Sequence, residues 1–546
     1  MKRLILFILG LLPVAAQAQG VEKIYVSTDR SVYIAGDEIW CSLFCMDASS
    51  GKLSTFSAVS YLELVSVDGT VASAKIGLME GRGAGKFRIP VSVPTGNYRL
   101  LAYTAQYPGA YLPGSKVVSV YNTTSAARVT EGVKIVPESE YVARPVPGVS
   151  DGFVSMATKE IPVSGRSFSL ALNNNTEAVD LSLSVYALDD LKEPSGNSLQ
   201  AFLGELQLPS AASSKLPEYE GEVIYAAVEG LEQRQLDSLS DVAVATLSSA
   251  GSPTDVYVGK VQDKGRLVFF TNNIYGNREL VCEVAGNAGY ITLMDPFQYP
   301  LVSGIEPMEL SSAQYGSLVR RKAALGITLQ VDTLVQFLPR RQDILLGREP
   351  VRRYHLDDYT RFPSLREVLV EIVHELRIRT VYGRHQLQLM VQDAVGSRKI
   401  VKDHLLVMLD GVVISDIGLL ENMDAMLLED VDIYEENVAL GGLSYNGVVN
   451  FTTKKNYVKA MQFAENVRVV DFKGVCYPVA YLGAPVGGGE DYRPVLYWNP
   501  ALKIQPRESV LIPLKAPSAP GMYRVVAEGL TTSGKPIRDV FDFEVR

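Results

Sequence analysis

Cysteine, histidine and tryptophan are scarce, with four, four and two in 546 residues. A multi-metal enzyme or a disulfide-stapled scaffold needs more ligands or thiols than this, so neither class fits and no cofactor or metal is expected. Positive charge is not in excess either: 52 Lys and Arg face 61 Asp and Glu, a net −9. That balance lacks the phosphate-neutralising surface of a nucleic-acid binder. After the first twenty residues no apolar run approaches the about 20 residues that cross a bilayer as a helix, so no transmembrane span is expected. What is there is ordinary globular composition, 47% apolar and 21% charged. The length suits about three to five domains.

The first twenty residues read as an export signal. Lys2 and Arg3 precede the apolar stretch Leu4 to Leu12, and Ala16-Gln17-Ala18 supplies the small-x-small cleavage pattern. A mature chain starting at Gln19 would meet an oxidising compartment. Cys41 and Cys45 lie roughly 13 Å apart along one strand, too far to bridge. Four buried thiols are the expectation, with a Cys282–Cys476 bridge left open.

Most of the chain alternates apolar and polar residues with period two, as in Phe168 to Leu172 and Leu181 to Val185. Gly, Pro, Asn and Asp turns separate these strands at a density that indicates β-sandwiches. One block departs from this. From Arg320 through Asp403 there are 16 basic and 10 acidic residues, a local +6, and His355, His374, His385 and His404 all fall in or beside it. Ser364 and Glu367 form a capping box, and Leu365, Val368, Leu369, Ile372, Val373 and Leu376 keep one helical face. A second helix is expected near Leu419 to Leu428, with strands at 386–392, 405–409, 431–435 and 447–453. A basic excess of this kind attracts an acidic partner or forms a solvated surface.

Several motifs fail on inspection. Gly148-Val-Ser-Asp-Gly152 fits G-x-S-x-G but follows Pro145 and Pro147 rather than a strand, so it reads as a linker turn. Gly81-Arg-Gly-Ala-Gly-Lys86 lacks both the first Gly and the final Ser or Thr of a phosphate loop and reads as a turn between strands. Glu371 and His374 lie off the apolar helical stripe, which favours a solvated face over a metal site. No acid–base pair or nucleophile–base set survives, so no catalytic residue is assigned and no enzyme is expected.

Tyr25-Val-Ser-Thr-Asp-Arg-Ser-Val-Tyr-Ile-Ala-Gly-Asp-Glu-Ile-Trp40 resembles the opening of a macroglobulin-like domain. Gly36 supplies the turn, and Ile39 and Cys41 point to one face of the next strand while Trp40 points to the other. Pro94-Thr-Gly-Asn-Tyr-Arg-Leu-Leu-Ala-Tyr-Thr104 is similar to the family's closing strand. Leu405-Leu-Val-Met-Leu-Asp-Gly-Val-Val-Ile414, Leu428-Glu-Asp-Val-Asp-Ile-Tyr434 and Leu443-Ser-Tyr-Asn-Gly-Val-Val-Asn-Phe-Thr-Thr-Lys454 resemble the plug domain of TonB-dependent outer-membrane receptors. The transporting barrel of such receptors needs roughly 200 residues in strands alone. Only 91 residues follow Lys455, so a barrel-less envelope protein is expected.

The expected fold is mainly β, with several Ig-like or macroglobulin-like sandwiches and one small α+β plug-like domain. The expected order is a signal peptide (1–18), a macroglobulin-like sandwich (19–122), a linker (123–152) and a sandwich (153–212). An Ig-like or carboxypeptidase-regulatory-like sandwich (213–304), a linker with helices (305–360), the plug-like domain (361–455) and a C-terminal Ig-like sandwich (456–546) follow. The resemblance implies a non-enzymatic protein of a Gram-negative periplasm or outer membrane. Its plug-like domain would dock to an outer-membrane complex, a β-barrel or TonB-linked system. Loops on rigid scaffolds carry binding, which singles out Asp410, Gly411, Leu440, Gly441, Gly442 and Tyr445. The alternatives are a macroglobulin-type protease inhibitor, for which no cysteine begins a C-x-E-Q thioester motif, and a glycan- or surface-binding module using Trp40 and Trp498.

Overall fold

The computed structural model describes residues 21–106, 115–125, 132–142, 150–194, 198–204, 215–251, 255–286, 289–328, 335–336, 349–392, 398–401, 404–434, 438–483 and 491–546. The expected export signal, the first part of Gly148–Gly152 and most of the Pro-rich stretch before it lie outside these residues. The fold is mainly β, with three sandwiches and one α+β unit.

The first sandwich runs through strands Glu22–Thr28, Glu38–Asp47, Arg82–Arg88, Gly69–Met79, Val59–Ser66, Gly96–Tyr103, Lys116–Tyr121 and Val32–Ile34, each bonded to the next. Gly69–Met79 turns the corner, pairing along its length with Val59–Ser66 and at Leu78 and Met79 with the Arg82 strand. Gly36 takes φ +101 at the turn, where a side chain would be strained. Asp37 closes that turn by accepting from Ile34 N at 2.9 Å and from Arg30 at 2.8 Å. Asp29 completes the lock, accepting from Arg30, Tyr33 Oη and Trp40 N at 2.7–3.0 Å. Ile39 and Cys41 enter the core while Trp40 leaves on the opposite face.

The second sandwich is discontinuous. Ser167–Asn174 pairs with Val154–Thr158 and with Ser509–Lys515. Val179–Ala187 lies between Val495–Ile504 and Gly521–Thr531, with Pro536–Val545 at the edge. The sequence division into separate sandwiches at 153–212 and 456–546 is therefore corrected: the strands of both segments share two sheets and one core. Three strands by themselves leave bare edges and an uncovered apolar face, and the chain's last strands cover them.

Everything between Ala187 and Val495 is nested inside that sandwich. The third sandwich sets Val223–Glu229, Arg266–Phe270 and Tyr290–Leu293 against Val244–Ser248, Val256–Lys260 and Asn277–Val284. It also takes Arg468–Lys473, a strand that the sequence division places in the C-terminal domain. Helix Tyr315–Thr328 follows, with Ala324 buried and Leu318 and Leu325 packed near Val32 and Ile34 of the first sandwich.

The α+β unit holds a five-stranded sheet in the order Arg352–His355, Leu428–Tyr434, Gly447–Thr453, Leu405–Leu409, Val412–Val413. Arg352–His355 falls in the expected 305–360 linker, so the unit starts earlier than 361. A three-stranded meander, Leu376–Val381, Arg384–Gln392 and Arg398–Val401, lies beside it. The capping box forms as its sequence predicts, with Ser364 and Glu367 each bonding the other's backbone N–H. The helix is shorter than its apolar periodicity: Leu365–Glu371 ends where Val373 N reaches back to Val368 O, and Leu376 opens a strand. All six apolar positions still enter one core. The second helix is Ile417–Glu421, and Leu428 already belongs to a strand.

Candidate interaction surface

Asp410 and Gly411 sit in the two-residue turn between Leu405–Leu409 and Val412–Val413, at φ +49 and +84. They do not form an open surface. Asp410 is buried and accepts from Thr453 N and Thr453 Oγ1 at 2.7 Å and from Val458 N at 3.3 Å. Gly411 N donates to Asn450 Oδ1 at 3.1 Å, and Gly251 N of the third sandwich donates to the Asp410 carbonyl. A carboxylate that fastens three donors in this way is structural.

Leu440, Gly441, Gly442 and Tyr445 belong to the hairpin Val438–Leu440 and Leu443–Tyr445. Tyr445 is buried and Leu440 half-buried, packed with Val256 and Val258 of the third sandwich and with Leu406 and Met408. Gly441 is exposed at the rim at φ +55, and a Cβ there would stand 1.8 Å from the Val258 carbonyl oxygen. Gly442 is exposed with open space around it. Asp410, Gly411, Leu440 and Tyr445 thus pack in an internal seam, while Gly441 stands at its rim and Gly442 stays exposed beside it. Apolar hairpin residues near a sheet look alike in sequence whether their partner is another chain or another part of the same one.

A second seam, unseen in the sequence, joins the first and third sandwiches through charge. Lys75 Nζ donates to Glu222 at 2.6 Å with both side chains 3% exposed. Tyr61 Oη donates to Glu218 at 2.6 Å, and Ala58 N to the Glu218 carbonyl at 2.7 Å. Gly221 threads between them, since a Cβ there would meet Asn273 N at 2.2 Å. Burial pushes the Glu218 carboxyl up to about 7, against the hydrogen bonds from Tyr61 and Val223. Burial also raises Glu222, opposed by Lys75. Another buried group, Glu283, is pushed up to about 7 in the same way where the third sandwich meets the α+β unit near Ser415.

The first and second sandwiches meet over Trp40, Trp498 and Tyr481, with the indole rings 5.8 Å apart. Both tryptophans are buried, which removes them as glycan-stacking platforms. Nearby, Glu528 accepts from Tyr25 at 2.6 Å and from Arg538 at 2.9 Å. Burial opposes charge on Glu528, yet Arg538, Lys116 and these bonds hold its carboxyl below the ordinary value.

The other sequence features settle simply. All four cysteines are free, so Cys282 and Cys476 do not pair. Ser150 donates to buried Asp539 at 2.5 Å and no helix follows it. Glu80 and Gly81 make a positive-φ turn into strand Arg82–Arg88. Glu371 and His374 are exposed, while His355 and His385 lie 2.5 and 2.6 Å from Asp430 and Glu421.

The outer face of the meander is open toward its tip, while Gln388 on the same face is buried. Leu376, Ile378, Leu387 and Leu389 point into the core, so Arg377, Arg379, Arg384, Gln386, Met390 and Ile400 share the other side by register. Arg379, Arg384, Gln386 and Ile400 are exposed there, and Arg377 bonds Gln388 at 2.9 Å. Among the described residues no carboxylate pairs with these three arginines. Elsewhere in the unit several cations are paired: Arg353 with Asp432, Arg366 with Glu421 and Lys454 with Asp357.

No protein-family model matches the chain, and no curated protein does. Among solved structures, a Salmonella alpha-2-macroglobulin reacted with methylamine aligns over 96% of this chain and 40% of its own, at 9% identity and TM-score 0.24. A trypsin-activated alpha-2-macroglobulin from Escherichia coli aligns over 96% and 41%, at 10% identity and TM-score 0.23. Dimeric latent PorU from Porphyromonas gingivalis aligns over 96% and 34%, at 10% identity and TM-score 0.15. The chain spans about two fifths of the macroglobulins' length. Likeness at this level carries no argument about this chain, whose mainly β, multi-domain fold stands on its own strands.

Proposed function

We propose that this chain is a non-enzymatic scaffold, exported to a Gram-negative envelope, that docks its α+β unit onto an outer-membrane protein complex. The observation that carries the reading is the meander's face of three arginines, which meet no carboxylate among the described residues. Nesting supplies the rigid mount. The third sandwich is fixed to the first by buried Lys75–Glu222 and to the α+β unit by an apolar seam. Three exposed or half-exposed guanidiniums on one flat face suit a carboxylate-rich partner surface, and such complementarity sets partner choice and encounter rate.

Chemical crosslinking in intact cells, detergent purification through a C-terminal tag and mass spectrometry test this. The expected result is an outer-membrane barrel crosslinked within residues 376–401. Recovery of the protein alone from the soluble periplasmic fraction would overturn it.

A further inference from the structure

From Leu376 to Gln392 the chain carries three arginines and one histidine and not one acidic residue, within a protein of net charge −9. At the centre of that stretch Tyr382 and Gly383 link two strands whose last pair is Val381 with Arg384. Both turn residues have positive φ, +49 and +77, as the favoured two-residue hairpin turn requires. Glycine is at home there, and Asn or Asp would serve at the first position. A tyrosine is strained, so turn formation does not explain it.

Packing does not explain it either. Tyr382 is 102% exposed, the most exposed of the large apolar and aromatic side chains among the described residues. The other tyrosine at positive φ, Tyr299, is held: its hydroxyl donates to Asp295 at 2.5 Å and its N–H to Glu63 at 3.2 Å. Tyr382 has no such contact among the described residues. A strained residue that contributes nothing to its own fold points to a ligand outside it.

We propose that the Tyr382–Gly383 tip is a membrane-contact point, with the tyrosine ring entering the headgroup layer of an anionic bilayer while Arg379 and Arg384 meet lipid phosphates. Tyrosine favours that layer because its ring is apolar and its hydroxyl stays wet. Guanidiniums on both sides of it pair with phosphate oxygens. A single protruding ring at the hairpin tip is far smaller than the roughly 800 Å² that each side of a stable protein interface contributes, so the tip by itself suits a lipid surface. The inference goes beyond the docking reading without resting on it: it concerns what the hairpin tip touches, whether or not the α+β unit also holds a protein partner.

The test uses the purified full chain, sedimented with vesicles of phosphatidylcholine alone or mixed with phosphatidylglycerol, at low and high salt. Binding to the mixed vesicles only, weakened by salt, is expected. Arg379→Gln and Arg384→Gln should each lower partitioning about fivefold. Tyr382→Asn should lower it too while leaving the melting temperature equal or higher, because Asn suits the turn; a structural role would lower it. Equal binding to both vesicle types, binding to neither, or full binding by Tyr382→Asn would overturn the proposal. Capture of an acidic barrel in cells without vesicle binding overturns the membrane contact and leaves the docking reading standing. Vesicle binding without a captured barrel does the reverse.

Discussion

The third sandwich has two seams of opposite chemistry. Toward the first sandwich it presents Glu218 and Glu222, which meet Tyr61 and Lys75. Toward the α+β unit it presents Val256 and Val258, which meet Met408 and Tyr445. A buried ion pair often adds little net stability over an apolar pair, but it punishes any arrangement that leaves one partner alone. The charged seam therefore fixes orientation, and the second seam, apolar apart from Glu283 and hydrogen bonds such as Gly251 N to the Asp410 carbonyl, adds mostly non-directional burial. Together they turn separate domains into a mount for one exposed face.

Breaking the charged seam should have the largest effect. Glu222→Ala strands the Lys75 ammonium, and the expected loss is about 3–5 kcal/mol in urea unfolding. The Lys75→Met, Glu222→Leu double variant should recover most of it, since the pair and its apolar replacement are close in energy. At the apolar seam, Gly441→Ala drives a methyl into the Val258 carbonyl and should lose about 3 kcal/mol. Its neighbour Gly442→Ala meets open space at φ +78 and should lose only about 1–2 kcal/mol. A smaller loss for Gly441 than for Gly442 would mean that the hairpin is not seated on the third sandwich.

The seams should also part with pH. Glu218 and Glu283 have folded pKa values raised to about 7, above the ordinary carboxyl value of about 4.3. Between those values the folded protein binds more protons than the unfolded, so this contribution is full below the lower value. It is lost as pH rises through about 7. Glu218→Gln should flatten the decline, read from melting temperatures across that range. Last, Arg379→Gln should move stability by no more than about 0.5 kcal/mol, as for an exposed side chain outside the core. Its effect belongs to binding.

Local features were legible in the sequence because local physics decides them. Gly36 with Asp37 makes a turn, Ser364 with Glu367 caps a helix, and strands Leu405–Leu409 and Gly447–Thr453 keep the bounds expected from the sequence. The discontinuous sandwich was not legible. Pairing of Ser167–Asn174 with Ser509–Lys515 depends on complementary edges far apart in the chain, and each strand alone looks like any half-buried strand. The surroundings of the six candidate site residues were hidden for the same reason: their turn chemistry is readable, but what packs on the turn is not. The basic excess was readable as composition, yet only the register of Arg377, Arg379 and Arg384 with Gln386 and Gln388 gathers it on one face.

Site-specific photo-crosslinking in cells tests the central claim most directly. A photoreactive residue placed at Arg379 compares the meander face with one at Gly442, which is also exposed but beside the internal seam. Capture of an outer-membrane barrel from position 379 and not from 442 is the predicted result. Capture from 442 alone, or from neither, would contradict it.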